Sequence, residues 1–184
     1  LMTNTFELIK KYNKKFIFAS SQMSNMSYSS YGVAKAVGER FTEALNGLTV
    51  KFWNVYGPER DLEKSHVITD FILKAKNEGK IDMLTDGTEE RQFLYVDDCC
   101  DALHKLSLSY DTLPRNKEYH ITNFEWSTIL DVAKIISDNL GGATINPAPA
   151  KDEVQKNKRN EPDSFILNFW RPETSLQEGI KKMI

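Results

Sequence analysis

The stretch FIFASS, residues 16–21, decides the fold of this chain, because a short continuous apolar run is typical of a strand buried on both faces of a parallel sheet. A polar loop follows, and the spacing then predicts a helix over 30–46 that ends at Asn46-Gly47. The run LTVKFW, residues 48–53, predicts the next strand. Strand, helix and strand in succession predict an α/β fold with a doubly wound, Rossmann-like parallel sheet.

The pattern is less regular beyond the sharp break at Asn54–Pro58, where a smaller mixed α/β region is predicted. A further helix is predicted at the start of the chain. The predicted elements outside 16–53 are helices over 3–13, 66–78, 97–109, 127–139 and 174–183, strands over 81–84, 91–95 and 119–122, and a surface loop over 146–163.

Tyr31 and Lys35 are the strongest candidates for chemistry. Residues four apart on a helix lie on one face, about a turn from each other. An ammonium beside a phenol stabilises the phenolate, so a tyrosine placed in this way can act as a base closer to neutral pH. Ser21, at the end of the preceding predicted strand, completes a candidate hydride-transfer site.

The composition indicates a globular protein with a single ordinary core. The chain has 184 residues, of which 40% are hydrophobic and 27% charged, and its formal net charge is −2. This charge gives no reason to predict nucleic acid or a membrane surface as a partner. The sequence contains no apolar run of the roughly 18 residues that a membrane span requires, and its first residues lack the pattern of a signal peptide.

The cysteines and histidines bear on disulfide formation, cellular location and metal binding. The only cysteines, Cys99 and Cys100, are adjacent, which does not make a disulfide framework and predicts a reducing, cytoplasmic location. They are interpreted as two small helix residues, at least one of them buried. The three histidines, His66, His104 and His120, show no metal-ligand spacing, so no metal site is predicted.

Five motifs occur in an order that resembles a known family. They are FIFASS (16–21), SSYGVAKAVGE (29–39), KFWNVYGP (51–58), RQFLYVDD (91–98) and WRPETSLQEGI (170–180). On these motifs the chain is identified as similar to the C-terminal part of an extended short-chain dehydrogenase/reductase of the NAD-dependent sugar epimerase/dehydratase family. The resemblance covers nearly the whole chain and implies modification of a nucleotide-diphosphate sugar by NAD-dependent hydride transfer.

The resemblance implies a role for each matching residue of the candidate site. Tyr31 would be the catalytic base that takes the sugar hydroxyl proton as hydride leaves for the nicotinamide. Lys35 would hold the nicotinamide ribose and favour the phenolate. Ser21 would hydrogen-bond the reacting oxygen. Phe52 and Trp53 match positions that line the nicotinamide pocket, although one of these large side chains is expected to belong only to the core.

Three further positions match the substrate side of the family. Asn54 matches a residue that contacts the substrate diphosphate, and Arg91 and Arg159 match two arginines that bind it, a use suited to forked donors. Plainer interpretations stay open: Asn54 as a turn residue, and both arginines as surface charges. Asp98 and its neighbour Asp97 match a family motif but are interpreted as helix-cap and structural acids.

The glycine-rich dinucleotide turn of the family does not occur in this sequence. The chain is therefore expected to be a fragment that is inactive alone and lacks a complete site for its cofactor. The expected cofactor is NAD, with NADP as the alternative. The other possibility is that a partner chain supplies the missing half of the cofactor site. Residues 1–60 are predicted to be the C-terminal part of a dinucleotide-binding Rossmann domain without its glycine-rich half. Residues 61–184 are predicted to be mainly the nucleotide-sugar-binding region.

Two details bear on the reaction. Dehydratases of the family commonly carry an Asp-Glu pair after the serine or threonine that ends the strand, whereas this chain has Gln22-Met23. This disfavours 4,6-dehydration and leaves epimerisation, or simple oxidation or reduction at a carbinol, open. The step of ten residues from Ser21 to Tyr31 is short for the family and predicts an open sugar pocket. An NADP-dependent keto-sugar reductase and a non-catalytic binding or oligomerisation fragment are the alternative functions. The resemblance also implies a homodimer built on the helices at 3–13 and 30–46.

Overall fold

The computed structural model describes residues 2–26, 29–152 and 160–184, which form two compact units. The first unit comprises residues 1–53, 99–122 and 160–171, and the second comprises 54–98, 123–159 and 172–184. The sequence prediction divided the chain once, near residue 60, whereas the structure interleaves the two units. The reason is that the third strand of the first unit follows more than 60 residues after the second, a pairing that local patterns do not reveal.

The first unit contains a three-stranded parallel sheet with helices packed on it. Its elements are α1 (Met2–Tyr12), β1 (Ile17–Ser21), α2 (Ser30–Ala44), β2 (Leu48–Phe52), most of α4 (Val96–Leu108) and β7 (Tyr119–Ile121). The strand order is β1-β2-β7, and Lys51 of β2 lies opposite His120 of β7 in the register. The parallel α/β architecture predicted from residues 16–53 is thereby confirmed.

Aromatic side chains fill the contact between α1, α2 and β1. Phe6 is 5% exposed, stacks on Phe41 with ring centroids 5.1 Å apart, and lies 5.8 Å from both Phe16 and Phe18. Gly38 makes this packing possible, because a Cβ at that position would approach the Phe18 ring to 2.2 Å. These contacts fix the helix that carries Tyr31 and Lys35 against β1.

The second unit combines short strand pairs with three helices around one apolar core. Its elements are β3 (Asn54–Tyr56), α3 (Val67–Glu78), β4 (Lys80–Asp82), β5 (Glu90–Arg91), β6 (Phe93–Tyr95), β8 (Ser127–Thr128), α5 (Ile129–Asn139), β9 (Thr144–Asn146) and α6 (Leu176–Met183). The pairs β3–β6 and β4–β9 are parallel, and β5–β8 is antiparallel. The apolar faces of α3, α5 and α6 supply most of the core.

The predicted helices and most predicted strands are confirmed to within a few residues. The exceptions are β3, which occupies the predicted chain break, β8, which lies at the start of the predicted helix over 127–139, and β9, which begins just before the predicted surface loop. The predicted strand over 91–95 is divided into β5 and β6. The strands that were missed have two or three residues, too few to show a period in the sequence. Among the described residues, no helix has the length and apolar character that crossing a bilayer requires. Both cysteines are free, with Cys99 buried, as predicted for at least one of them, and Cys100 exposed.

Candidate active site

Ser21 is the last residue of β1 and opens a tight turn. Its hydroxyl oxygen accepts a hydrogen bond from the Met23 backbone N–H at 3.2 Å, and a 3-10 helix over Gln22–Asn25 follows. Gly32 of α2 lies against this turn, since a Cβ there would come within 2.4 Å of the Met23 carbonyl oxygen. The first turn of α2 is therefore held close to the carboxyl end of β1.

Tyr31 and Lys35 share one face of α2, as predicted. The Lys35 ammonium lies 5.5 Å from the centroid of the Tyr31 ring and donates to the Ala19 carbonyl oxygen at 2.6 Å. Tyr31 is 54% exposed, so its phenol is accessible to a ligand. The helix begins at the Ser29 N-cap, whose hydroxyl oxygen accepts from the Gly32 N–H at 3.0 Å.

An open apolar groove of about 530 Å³ lies beside these two side chains. It runs along β1 and α1, and β1 ends the strand order of its sheet. Aromatic rings and the Lys35 ammonium border it. Its lining residues are Met2, Thr5, Phe6, Ile9, Phe16, Ile17, Phe18, Tyr31, Ala34 and Lys35.

Phe52 and Trp53 differ in their exposure. Phe52 ends β2 and is partly buried, whereas Trp53 is 7% exposed. The Trp53 indole Nε1–H donates to Nδ1 of His120 at 3.1 Å. Whether either side chain contacts a nicotinamide stays a prediction.

Asn54 and Arg91 belong to the second unit and line one cavity of about 520 Å³. The Asn54 amide donates to the carbonyl oxygen of Gln92, the residue that precedes β6, at 3.1 Å. Arg91 donates to the Glu90 carbonyl oxygen at 2.8 Å and forms an ion pair with Asp152 at 2.7 Å. Arg91 is therefore anchored in a cavity wall, not a mobile surface charge. Arg159 lies outside the described residues.

Asp98 has a structural role, as predicted, although its carboxylate binds a distant segment of the chain instead of the start of its own helix. Its carboxylate is 8% exposed and accepts from the backbone N–H groups of Glu173 and Thr174 at 3.2 and 2.8 Å. These bonds secure the segment that precedes the capping box of α6 at Ser175. The Asp98 carboxylate thus accepts hydrogen bonds from backbone N–H groups and serves to hold the chain in place.

A buried charged cluster around Lys51 is the feature that the sequence prediction missed. The Lys51 ammonium is fully buried and pairs with Glu118 at 2.8 Å and Glu39 at 3.3 Å. One signal was available: a lysine interrupts the largely apolar run over 48–53 that predicts a strand of the parallel sheet. The partners were not predictable, because Glu118 is distant in sequence.

Comparison with known proteins identifies the family of the chain and confirms its fold. A parallel α/β sheet with serine at a strand end and a tyrosine–lysine pair on the next helix defines the class as an extended short-chain dehydrogenase/reductase. The profile of the NAD-dependent epimerase/dehydratase family matches residues 1–122. The chain therefore belongs to the NAD-dependent epimerase/dehydratase family.

Named relatives carry several activities within that family. The chain is 30% identical over 166 residues to a GDP-L-fucose synthase of Sinorhizobium fredii, in an alignment that covers 83% of the chain and 52% of the relative. It is 28% identical over 169 residues to a dTDP-L-rhamnose 4-epimerase of Burkholderia thailandensis, covering 84% of the chain and 45% of the relative. The chain thus spans about half the length of these two relatives.

Solved structures share the fold over almost the whole chain. A UDP-glucose 4-epimerase of Thermotoga maritima with UDP-glucose superposes with a TM-score of 0.80 at 24% identity, covering 99% of this chain and 66% of that one. A dTDP-glucose 4,6-dehydratase of Bacillus anthracis in complex with NAD superposes with a TM-score of 0.82 at 20% identity, covering 99% of this chain and 64% of that one.

Proposed function

We propose that this chain forms the catalytic-base and substrate side of a nucleotide-sugar epimerase. The observation that carries the proposal is the Lys35 ammonium, which lies beside the exposed Tyr31 ring and donates to Ala19, two residues before Ser21 in β1. An exposed phenol and an ammonium bordering an open groove fit the nicotinamide ribose of NAD, which Tyr31 and Lys35 would hold. When bound, NAD supplies the acceptor for the hydride.

The chain's own residues would then transfer the proton of the sugar hydroxyl. Tyr31 accepts it at the phenolate oxygen as the sugar hydroxyl becomes a carbonyl, and returns it when the carbonyl is reduced on the other face. The Lys35 charge stabilises the phenolate before Tyr31 takes up the proton and after it returns the proton. Ser21 orients the reacting oxygen through its hydroxyl. The Gln22 amide, which follows Ser21, has no proton to give or take at neutral pH, and this favours epimerisation over dehydration.

A Tyr31→Phe substitution tests the role of the phenol. In the form of the protein that binds NAD, we expect turnover of a nucleotide sugar to fall by about 10²–10⁴-fold, the range for loss of a general acid–base. The free energy of unfolding should change by less than about 0.5 kcal/mol, because the side chain is exposed. Tyr12→Phe removes another exposed hydroxyl, from α1, and should leave turnover unchanged. Full turnover by the Tyr31→Phe protein would contradict the proposal.

The second unit would bind the nucleoside diphosphate. Arg91 presents a planar fork suited to phosphate oxygens, and Asn54 and Lys74 line the same cavity. Calorimetric titration with UDP, and with other nucleoside diphosphates, measures this binding. Arg91→Lys keeps the charge but loses the fork, so we expect at least about tenfold weaker binding, while Arg60→Ala removes an exposed arginine outside the cavity lining and should have no effect. Equal affinities of both variants and wild type would refute the assignment.

We further propose that NAD binding needs a segment beyond these 184 residues. The support is that no glycine-rich turn able to cradle a pyrophosphate occurs in the sequence. Titration of the chain with NAD tests this directly: no saturable binding is expected, while UDP still binds. Saturable NAD binding by this chain alone would contradict it. The cytoplasmic location predicted from the two adjacent cysteines stays a prediction.

A homodimer built on α1 and α2 is proposed from the apolar side chains that these helices expose. On α2, Val33, Val37 and Phe41 recur every four residues and are 50%, 44% and 38% exposed. Leu8 and Tyr12 of α1 are 55% and 58% exposed. Such a surface matches the four-helix packing of a two-fold interface. Light scattering at micromolar concentration should give a dimer mass, and Val37→Glu should give a monomer.

A further inference from the structure

The buried ammonium of Lys51 is the centre of a hydrogen-bonded cluster in the first unit. Its side chain is fully buried and donates to the Asn25 side-chain oxygen besides pairing with Glu39 and Glu118. A charge withdrawn from water in this way is retained only where partners neutralise it and accept its hydrogens. These oxygens can accept hydrogen bonds from all three N–H groups of the ammonium, so the Lys51 side chain is held in one position in the interior.

Glu118 bridges the buried Lys51 ammonium and the His120 ring. One carboxylate oxygen pairs with Lys51, and the other lies 3.0 Å from Nε2 of His120. The hydrogen bond from His120, together with Lys51, lowers the pKa of Glu118 to about 2, so the carboxylate is ionised and accepts hydrogen bonds only. His120 itself is 1% exposed and lies opposite Lys51 in the strand register.

Trp53 determines which ring nitrogen of His120 carries the proton. An indole N–H can only donate, and it points at Nδ1 of His120 at 3.1 Å. Nδ1 must therefore be unprotonated, which leaves the proton on Nε2, where it is donated to Glu118. The two partners thus require the same neutral tautomer.

The opposite end of the cluster reaches the strand that carries Ser21. The second oxygen of Glu39 accepts from the hydroxyl of Ser20, the residue before Ser21. Glu39 lies one helical turn beyond Lys35 on α2. Lys51 consequently connects the ends of β1 and β2, where Ser21 and Trp53 lie, through hydrogen bonds and not through packing alone.

We propose that His120 is the positioning residue for Trp53, and that its Nδ1 acceptor fixes the indole at the carboxyl end of β2. Glu118, anchored by Lys51, holds the histidine ring in the required tautomer. The consequence for cofactor binding rests on the proposed function, in which Trp53 lines the nicotinamide pocket. The orientation of the indole does not depend on that function.

Two substitutions at the same position separate the acceptor from simple packing. Asn places an amide oxygen near the place of Nδ1, whereas Gln places an amide nitrogen near the place of Nε2. His120→Asn should therefore keep the bond to Trp53, and His120→Gln should keep only the bond to Glu118. Loss of packing alone would affect both variants alike.

The readout is the indole N–H resonance of Trp53 in a ¹⁵N-labelled protein, assigned by Trp53→Phe. We expect its exchange with solvent to rise about fivefold or more in His120→Gln, the fold-change for one hydrogen bond of ordinary strength, and to stay near wild type in His120→Asn. The Trp170 indole, which donates to Asp101 at 3.0 Å, is the internal reference and should not change. Equal exchange in both variants would overturn the proposal.

The wild-type protein gives an independent test that no folding defect can obscure. In ¹⁵N-labelled histidine, the ring couplings of His120 should identify Nδ1 as the unprotonated nitrogen, and Trp53→Phe should shift that resonance. A protonated Nδ1 would overturn the proposal. Titration with NAD, in the form of the protein that binds NAD, then tests whether the position of the indole affects cofactor binding. The affinity for NAD should fall in His120→Gln and stay near that of the wild type in His120→Asn. If the indole behaves as expected but NAD affinity is the same in both, the proposed role of Trp53 in the pocket is wrong and the positioning stands.

Discussion

Replacing Lys51 by methionine should destabilise the first unit strongly. The substitution keeps the apolar stem and removes the charge, which leaves Glu39 and Glu118 without their shared partner. Breaking a buried ion pair from one side costs about 3–5 kcal/mol. Because Glu39 and Glu118 are 19% and 46% exposed, both regain some water. We therefore expect the lower limit, a loss of about 3 kcal/mol in the free energy of unfolding.

Urea denaturation followed by tryptophan fluorescence measures this loss, since Trp53 and Trp170 both lie in the first unit. With a dependence on urea of about 2 kcal/mol per M, the midpoint should fall by about 1.5 M. Lys15→Met is the matched control. It also removes a lysine from an ion pair, with Asp111 at 2.6 Å, but those side chains are 66% and 71% exposed.

The control should cost no more than about 0.5 kcal/mol, because exposed ion pairs contribute little. The comparison therefore isolates burial as the cause. If Lys51→Met and Lys15→Met shifted the midpoint by the same amount, the buried cluster would not stabilise the fold in the way its geometry indicates. A gain of stability in Lys51→Met would show that the desolvation of the ammonium outweighs its pairing.

Three further outcomes are expected. The low pKa of Glu118, about 2, means that the unfolded chain binds its proton more readily, so stability should fall as the pH drops from about 4.5 towards 2, and Glu118→Gln should flatten this dependence in urea titrations. Burial raises the pKa of Cys99 to about 11, so a thiol reagent at pH 8 should label only Cys100 rapidly, and Cys100→Ser should abolish the fast phase. Thr128→Ala removes the capping box of α5 and should cost about 1 kcal/mol of unfolding free energy in the same urea assay. Labelling of both thiols at one rate, or an unchanged midpoint in Thr128→Ala, would contradict the last two.

Much of the candidate site could be predicted because it depends on local spacing. The four-residue separation of Tyr31 and Lys35 places them on one helical face whatever surrounds the helix, and the structure shows them together. The apolar run that ends at Ser21 likewise specifies a strand end. Asn54 and Arg91 were matched by motif, and the structure adds that they line one cavity of the second unit.

The remaining features depend on contacts between distant segments. β9 is a strand only because Thr144–Asn146 pair with Lys80–Asp82. The hydrogen bond from Trp53 to His120 joins residues 67 positions apart, and the ion pair of Arg91 with Asp152 spans 61. No periodicity in a short window carries such information, because the partners meet only after the sheet has formed.

Local patterns in the sequence are enough to predict the parallel α/β class, the position of the tyrosine–lysine pair and the serine at the strand end, since each follows from apolar runs and helical spacing within a few dozen residues. The burial of a lysine in the middle of β2 is explained by the folded chain alone. It brings Glu39 from a helix and Glu118 from a distant segment to the same ammonium. The physical reason is that a buried charge is tolerated only where its partners converge in space, and convergence is a property of the folded chain.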